Sequence, residues 1–127
     1  MAKITGARFI AETIQKVGIS HAFFMPYIAP RALMEMERLG IKRVQTHGEK
    51  PAAYMADAYA RVRRGPGLCM AQSVGAGNLA AGLQDAYLAC SPVVALTGRE
   101  NQNSQKRHAY QEVDHVGPFS AVTKYLS

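Results

Sequence analysis

Helical and strand patterns alternate along nearly the whole of this chain, and that alternation restricts the fold more than any other feature. The stretch "TGARFIAETIQKVG" puts Phe9, Ile10, Ala11, Ile14 and Val17 on one helical face, and Gly18 closes it. "HAFFM" reads as a strand that stops at Pro26. "PRALMEMERLG" is a short helix ending at Gly40, and "IKRVQTH" a second strand. Residues 50–64 form the next helix: Pro51 suits its first turn, and Ala52, Met55, Ala56 and Tyr59 line one face. "GPG" at 65–67 breaks it. "LCMAQ" is a buried strand, "SVGAGN" a glycine-rich loop, "LAAGLQDAYLAC" a helix ended by Ser91-Pro92, and "VVALTG" a further strand. "RENQNSQKRHAYQEVD" has no strong period and reads as a polar loop, and "AVTKYL" as a last strand. A repeated α-then-β order is satisfied by a parallel sheet with helices packed on it, so the expected class is α/β. In such sheets ligands bind beyond the carboxyl ends of the strands. The unusual residues collect there, at 25–29, 47–49, 72–78 and 97–99.

Composition excludes several classes. At 127 residues the chain is expected to be a single domain, 1–127, with a real core. Hydrophobic residues make up 48% and charged residues 19%, an ordinary globular balance. No apolar run reaches the roughly 20 residues that span a membrane, so no membrane partner is expected. "MAKITGARF" lacks the apolar core of a secretory signal. Cys69 and Cys90 sit in apolar runs without metal-type spacing, and a cytoplasmic location is expected. The net charge is +6, but apart from "RVRR" at 61–64 the basic residues are scattered. That run closes a helix, where cations suit the macrodipole. No basic stripe or aromatic platform accompanies it, so no nucleic-acid partner is expected. The positive charge fits an anionic ligand or an acidic partner.

Single motifs leave the function open. Glu49 lies at a strand-to-helix junction just before Pro51. There an acid gains about 0.3–1 kcal/mol from the helix N-terminus, without any chemistry. "SVGAGN" has neither the glycine spacing of a dinucleotide fingerprint nor the Gly-Lys-Ser/Thr of a phosphate loop. His47, His108 and His115 are too far apart to read as a metal site, so no metal ligand is expected on this chain. Ser73 lacks a nucleophile-elbow sequence.

Taken together, "HGEKPAAYMADAYAR" (47–61), "SVGAGNLAAGLQDAY" (73–87), "SPVVALTGR" (91–99) and "AYQEVDHVGPFSAVTKY" (109–125) form a pattern. In order and interval it resembles the N-terminal, pyrimidine-binding domain of thiamine-diphosphate enzymes of the acetolactate synthase group. The resemblance runs from about residue 4 to the end. It implies that Glu49 is catalytic. In that family the glutamate at this place hydrogen-bonds a ring nitrogen of the cofactor's aminopyrimidine and favours its imino form, which then takes the proton from the thiazolium carbon. A proton shared in this way needs a carboxyl not strongly biased towards either form. The resemblance also implies cofactor-binding roles for Pro26, Ser73, Gly75, Gly77 and Asn78, and substrate-pocket roles for Tyr27, Ile28, Tyr110 and Gln111. The 73–78 loop is one residue shorter than the family's Gly-Pro-Gly stretch and lacks its proline. In "MPYIAP", Tyr27 and Ile28 replace family glycines, which should reshape the pocket. Gly48 stands where many members carry His. Tyr110-Gln111 resembles the Phe-Gln pair of acetolactate synthases, which points to a carboligase or synthase rather than a decarboxylase.

The family holds the cofactor's diphosphate and Mg2+ on another domain, with a Gly-Asp-Gly…Asn pattern that this sequence lacks. Its pyrimidine domain also continues through a further helix and strand. The fold is therefore expected to be incomplete at its C-terminus. The implied function is an enzyme domain or subunit, a thiamine-diphosphate-dependent lyase or transferase. It would work with a diphosphate-binding partner in a homo- or hetero-oligomer and act on 2-oxo acids by decarboxylation and carboligation. The alternative is a non-catalytic scaffold or regulatory subunit that keeps the same fold.

Overall fold

The computed structural model describes residues 3–99 and 101–127. The elements follow the order α1 (Gly6–Lys16), β1 (His21–Phe24), α2 (Pro30–Arg38), β2 (Lys42–Gln45), α3 (Glu49–Arg63), β3 (Gly67–Gln72), α4 (Gly75–Leu88), β4 (Val93–Gly98), a 3-10 turn (Gln102–Ser104) and α5 (Val116–Ser120). The four strands are parallel, in the order β2-β1-β3-β4. This is the expected helix-flanked parallel sheet.

The strand period of two sorts the core into two faces. Ala22 and Phe24 of β1 and Leu68 and Met70 of β3 point towards α1 and α2, where they meet Ala11, Ile14, Leu33 and Met36. Phe23, Cys69 and Ala71 point the other way, against Ala52, Ala53 and Ala56 of α3 and Leu79 and Leu83 of α4. Because β3 is covered on both faces, "LCMAQ" reads as an unbroken apolar run. Burial pushes the Cys69 thiol up to about 12, so it is an inert core residue.

Helix starts and stops follow local chemistry. Thr5 caps α1 by accepting from the Arg8 N–H at 3.2 Å. On α3 the buried Asp57 takes a two-pronged bond from Arg61, at 2.8 and 2.7 Å, which holds its carboxyl below the usual range.

Four sequence expectations need correction. Phe9 and Val17 are exposed, and of the expected α1 face Ala11 and Ile14 are the buried residues. On α3 Met55 is exposed, while Ala53 and Ala60 join Ala52 and Ala56 inside. The reason is packing: α4 approaches α3 so closely that only small side chains fit between them. "SVGAGN" is a loop only at Ser73 and Val74, since α4 begins at Gly75. Finally, "AVTKYL" forms no strand. A strand needs a ladder partner, and this segment makes none. Val116–Ser120 form a short helix instead, after which Val122 drops into the core and the Thr123 hydroxyl bonds the Phe119 carbonyl at 2.7 Å.

The outer edge of β4 therefore has no partner strand among the described residues. Beside it runs an apolar groove of about 1060 Å³ between the end of α4, β4 and residues 119–127. Unpaired edges and open apolar grooves drive pairing with other chains. The chain alone is expected to self-associate, with a sedimentation coefficient that rises with concentration. A monodisperse monomer across the accessible range would contradict this.

Candidate functional site

All four strands end on one rim, at Phe24, Gln45, Gln72 and Gly98. The β2–α3 turn is tight. The Thr46 N–H bonds the Phe24 carbonyl at 2.9 Å, and the buried Thr46 hydroxyl donates to the Gly48 carbonyl at 2.7 Å. Together they fix Glu49 as the first residue of α3, at the positive end of its macrodipole. The half-buried Glu49 carboxylate accepts from Asn78 Nδ2 at Oε2, 3.2 Å away. Gly75 lies directly against the carboxylate: a Cβ there would stand 2.9 Å from both Glu49 Cγ and Cδ. Oε1 has no hydrogen-bond partner among the described residues. Glu49, Gly75 and Asn78, distant in sequence or separated by a turn of helix, thus form one cluster. Gly77 lies apart from it, on the open side of α4.

Ser73 anchors the next turn. It is 1% exposed and adopts a left-handed backbone, φ 32°. Its N–H donates to the Gly98 carbonyl at 2.7 Å, and its hydroxyl donates to the Gln111 carbonyl. The Ser73 carbonyl accepts from His115 Nε2 at 3.0 Å, and the other His115 nitrogen faces the Thr97 hydroxyl at 3.2 Å. The strand–Ser–helix geometry looks like a nucleophile elbow. However, the hydroxyl is committed to a backbone oxygen and the imidazole touches the carbonyl, so no Ser–His pair exists. Thr97 belongs to the expected rim at 97–99, whereas the role of His115 has no signal in the sequence. A contact spanning 42 positions leaves no local signal.

The β1–α2 turn carries the remaining candidates. Tyr27 has φ 74° and is 91% exposed, while Ala29 has φ 38°. Ile28 is buried in the α1–α2 side of the core and presses on Gly98 beside Gln72. Pro26 is partly buried in the same turn. Gln111, φ 63°, reaches the rim through its bond with Ser73, whereas Tyr110 stands in solvent. Glu112 organises that segment by gathering backbone N–H groups of Lys106, Ala109 and Arg107, which pull its carboxyl below the usual range. Left-handed non-glycine residues each cost on the order of 1–3 kcal/mol, and such strain concentrates at functional sites. Here Tyr27, Ala29 and Ser73 all sit on the rim that carries Glu49. Among the described residues no group of three His, Cys, Asp or Glu side chains could hold a metal ion, and no helix is long and apolar enough to cross a membrane.

A parallel sheet whose shaped turns gather at the carboxyl rim defines a ligand-binding α/β unit. The family is more specific. The profile of the thiamine pyrophosphate enzyme N-terminal TPP binding domain matches residues 4–117, and the chain belongs to that family. It is 33% identical over 129 residues to an acetolactate synthase of Arthrospira platensis, covering 97% of this chain and 22% of that protein. The acetolactate synthase isozyme 2 large subunit of Escherichia coli (strain K12) is 34% identical, with 96% and 23% covered. An acetolactate synthase of Bacillus subtilis (strain 168) is 31% identical, with 98% and 22% covered. The chain thus spans about a fifth of the length of these relatives.

Proposed function

We propose that this chain is a pyrimidine-binding domain that forms the aminopyrimidine side of a thiamine-diphosphate site, in an enzyme that joins or cleaves 2-oxo acids as acetolactate synthases do. The observation that carries this is the Glu49 cluster: a half-buried carboxylate with one oxygen oriented by Asn78 and the other beside a residue with no side chain. Such a cradle fits a flat heteroaromatic ring whose edge meets the carboxyl. When bound, thiamine diphosphate supplies the carbanion chemistry through which a 2-oxo acid loses CO2 and its acyl unit reaches an acceptor.

This chain's own residues prepare that step. Glu49 holds or accepts a proton at a pyrimidine nitrogen, and Asn78 keeps the carboxylate aimed. Ser73, clamped by His115 and Gln111, fixes the turn before α4, so that Gly75 leaves room for the Glu49 carboxylate. Pro26 and Gly77 border the cofactor less directly. Tyr27, Ile28, Tyr110 and Gln111 are assigned to the substrate side, which fits a synthase. The diphosphate and its Mg2+ belong to a second domain or subunit, so the working form is an oligomer in the cytoplasm.

The alternative is a scaffold or regulatory subunit that keeps the same fold. Turnover with a diphosphate-binding partner separates the two readings: a chain that assembles with the partner but never needs Glu49 is a scaffold. With Mg2+ present, titration calorimetry of the chain alone is expected to show only weak thiamine-diphosphate binding, because one wall of the cleft and the cation site lie elsewhere. Tight binding by the monomer would overturn the two-part site.

A further inference from the structure

At the opposite edge of the sheet a second cluster stands unused. Ser20 precedes β1 and His21 opens it, Lys42 opens β2, and Tyr59 and Arg63 lie in the last turns of α3. Arg63 is 14 residues along α3 from Glu49, about 21 Å at 1.5 Å per residue. His21 and Lys42 are register partners on neighbouring strands, so both face α3, as Phe23 does two residues on. The Tyr59 ring packs on His21 with centroids 4.8 Å apart and edge-on to Phe23 at 5.7 Å. Its hydroxyl lies 2.6 Å from Ser20 Oγ, 3.0 Å from His21 Nδ1 and 2.6 Å from Arg63 Nη1. Arg63 also donates to the Ser20 hydroxyl.

The donors outnumber the acceptors. Arg63 gives to both hydroxyls, one hydroxyl gives to the other, and one gives to Nδ1. That arrangement places the imidazole proton on Nε2, where it has no partner among the described residues. Charge is equally unbalanced. Arg8, Arg38, Arg43 and Arg61 each hold a carboxylate. Arg63 and Lys42 hold none among the described residues, although they converge on one histidine.

We propose that Ser20, His21, Lys42, Tyr59 and Arg63 form a binding site for a small phosphate-class oxyanion, separate from the Glu49 rim. Two cations beside the Nε2 N–H of a half-buried imidazole, which the Ser20 and Tyr59 hydroxyls hold in place, suit such an anion. It also gives the "RVRR" run a role beyond closing α3. Burial first, then the charges of Lys42 and Arg63, hold the His21 imidazole below its ordinary range. A bound anion neutralises both charges and accepts from Nε2, so it lifts that value. Nothing in this inference rests on the thiamine-diphosphate reading.

The test is nitrogen NMR of His21 in the 15N-labelled chain. Its titration is followed in chloride and in inorganic phosphate at equal ionic strength. The His21 midpoint is expected to rise in phosphate, with saturating shifts confined to residues 20, 21, 42, 59 and 63. A phosphate monoester run in parallel distinguishes the sources: tighter saturation assigns a phosphorylated small molecule, and equal saturation the free ion. Arg63→Gln and Lys42→Gln, both at exposed positions, are each expected to weaken phosphate about tenfold, the size of a lost charge-assisted hydrogen bond. An unchanged His21 midpoint in phosphate, or Arg63→Gln and Lys42→Gln forms that both bind phosphate like the parent, would overturn the site.

Discussion

Glu49→Gln is expected to leave the chain folded and to lower turnover of the assembled enzyme by roughly 10²- to 10⁴-fold, the effect of removing an acid–base group. Glutamine keeps the size of the side chain and an oxygen that can still accept from Asn78 Nδ2, now 3.2 Å from Glu49 Oε2. It cannot share a proton with a pyrimidine nitrogen. If Glu49 were only a charge at the start of α3, the change would cost under about 1 kcal/mol of stability and leave turnover nearly normal. Thermal unfolding and turnover therefore move in opposite proportions under the two readings. Exchange of the cofactor's thiazolium proton into deuterated water, followed by NMR after acid quench, isolates the step assigned to Glu49. Exchange as fast in Glu49→Gln as in the parent would remove Glu49 from the chemistry.

The position of Glu49 was legible because the signals around it are local. A strand, a short turn and a proline in the first helical turn locate the junction within a residue or two. Parallel topology followed from the order of elements. The strand order β2-β1-β3-β4 did not, since it depends on which faces pack together. "SVGAGN" misled for a physical reason. Its glycines look like turn residues, yet Gly75 is glycine because the Glu49 carboxylate occupies the space a side chain would take. The same close approach explains why Met55 lost its inward place to alanines. The 101–115 segment was opaque because its order comes from single contacts: the Glu112 carboxylate with nearby backbone N–H groups, and His115 with Ser73 across 42 positions. Neither leaves a period in the sequence.

Gly82 carries the close packing of α4 on α3, and Gly82→Val is expected to lower the melting temperature by roughly 10 °C. In an exposed helix, replacing a glycine usually helps, because glycine costs a helix interior about 1 kcal/mol relative to alanine. Here that gain is overridden. A Cβ at position 82 would stand 2.8 Å from Ala53 Cβ, 2.8 Å from the Lys50 carbonyl oxygen and 3.2 Å from Lys50 Cα. Two of those contacts are backbone, so no side chain can swing aside and the helices themselves must part. Overpacking of this kind costs about 1–3 kcal/mol, and valine adds two methyl groups beyond the first clash. Roughly 3 kcal/mol of a total near 5–15 kcal/mol is a large share, and at about 3–4 °C per kcal/mol for a chain this size it gives the shift stated. Ala81→Val is the control. It brings the same β-branched residue to the neighbouring exposed position of α4, where it should cost under about 1 kcal/mol. Equal melting temperatures for the two variants would mean that α3 and α4 are not in contact at Gly82. Lys50 follows Glu49 directly, so a shift of α3 at this point also moves the carboxylate away from Gly75 and Asn78. Gly82→Ala, a smaller wedge, should then lose more turnover in the assembled enzyme than its stability alone predicts.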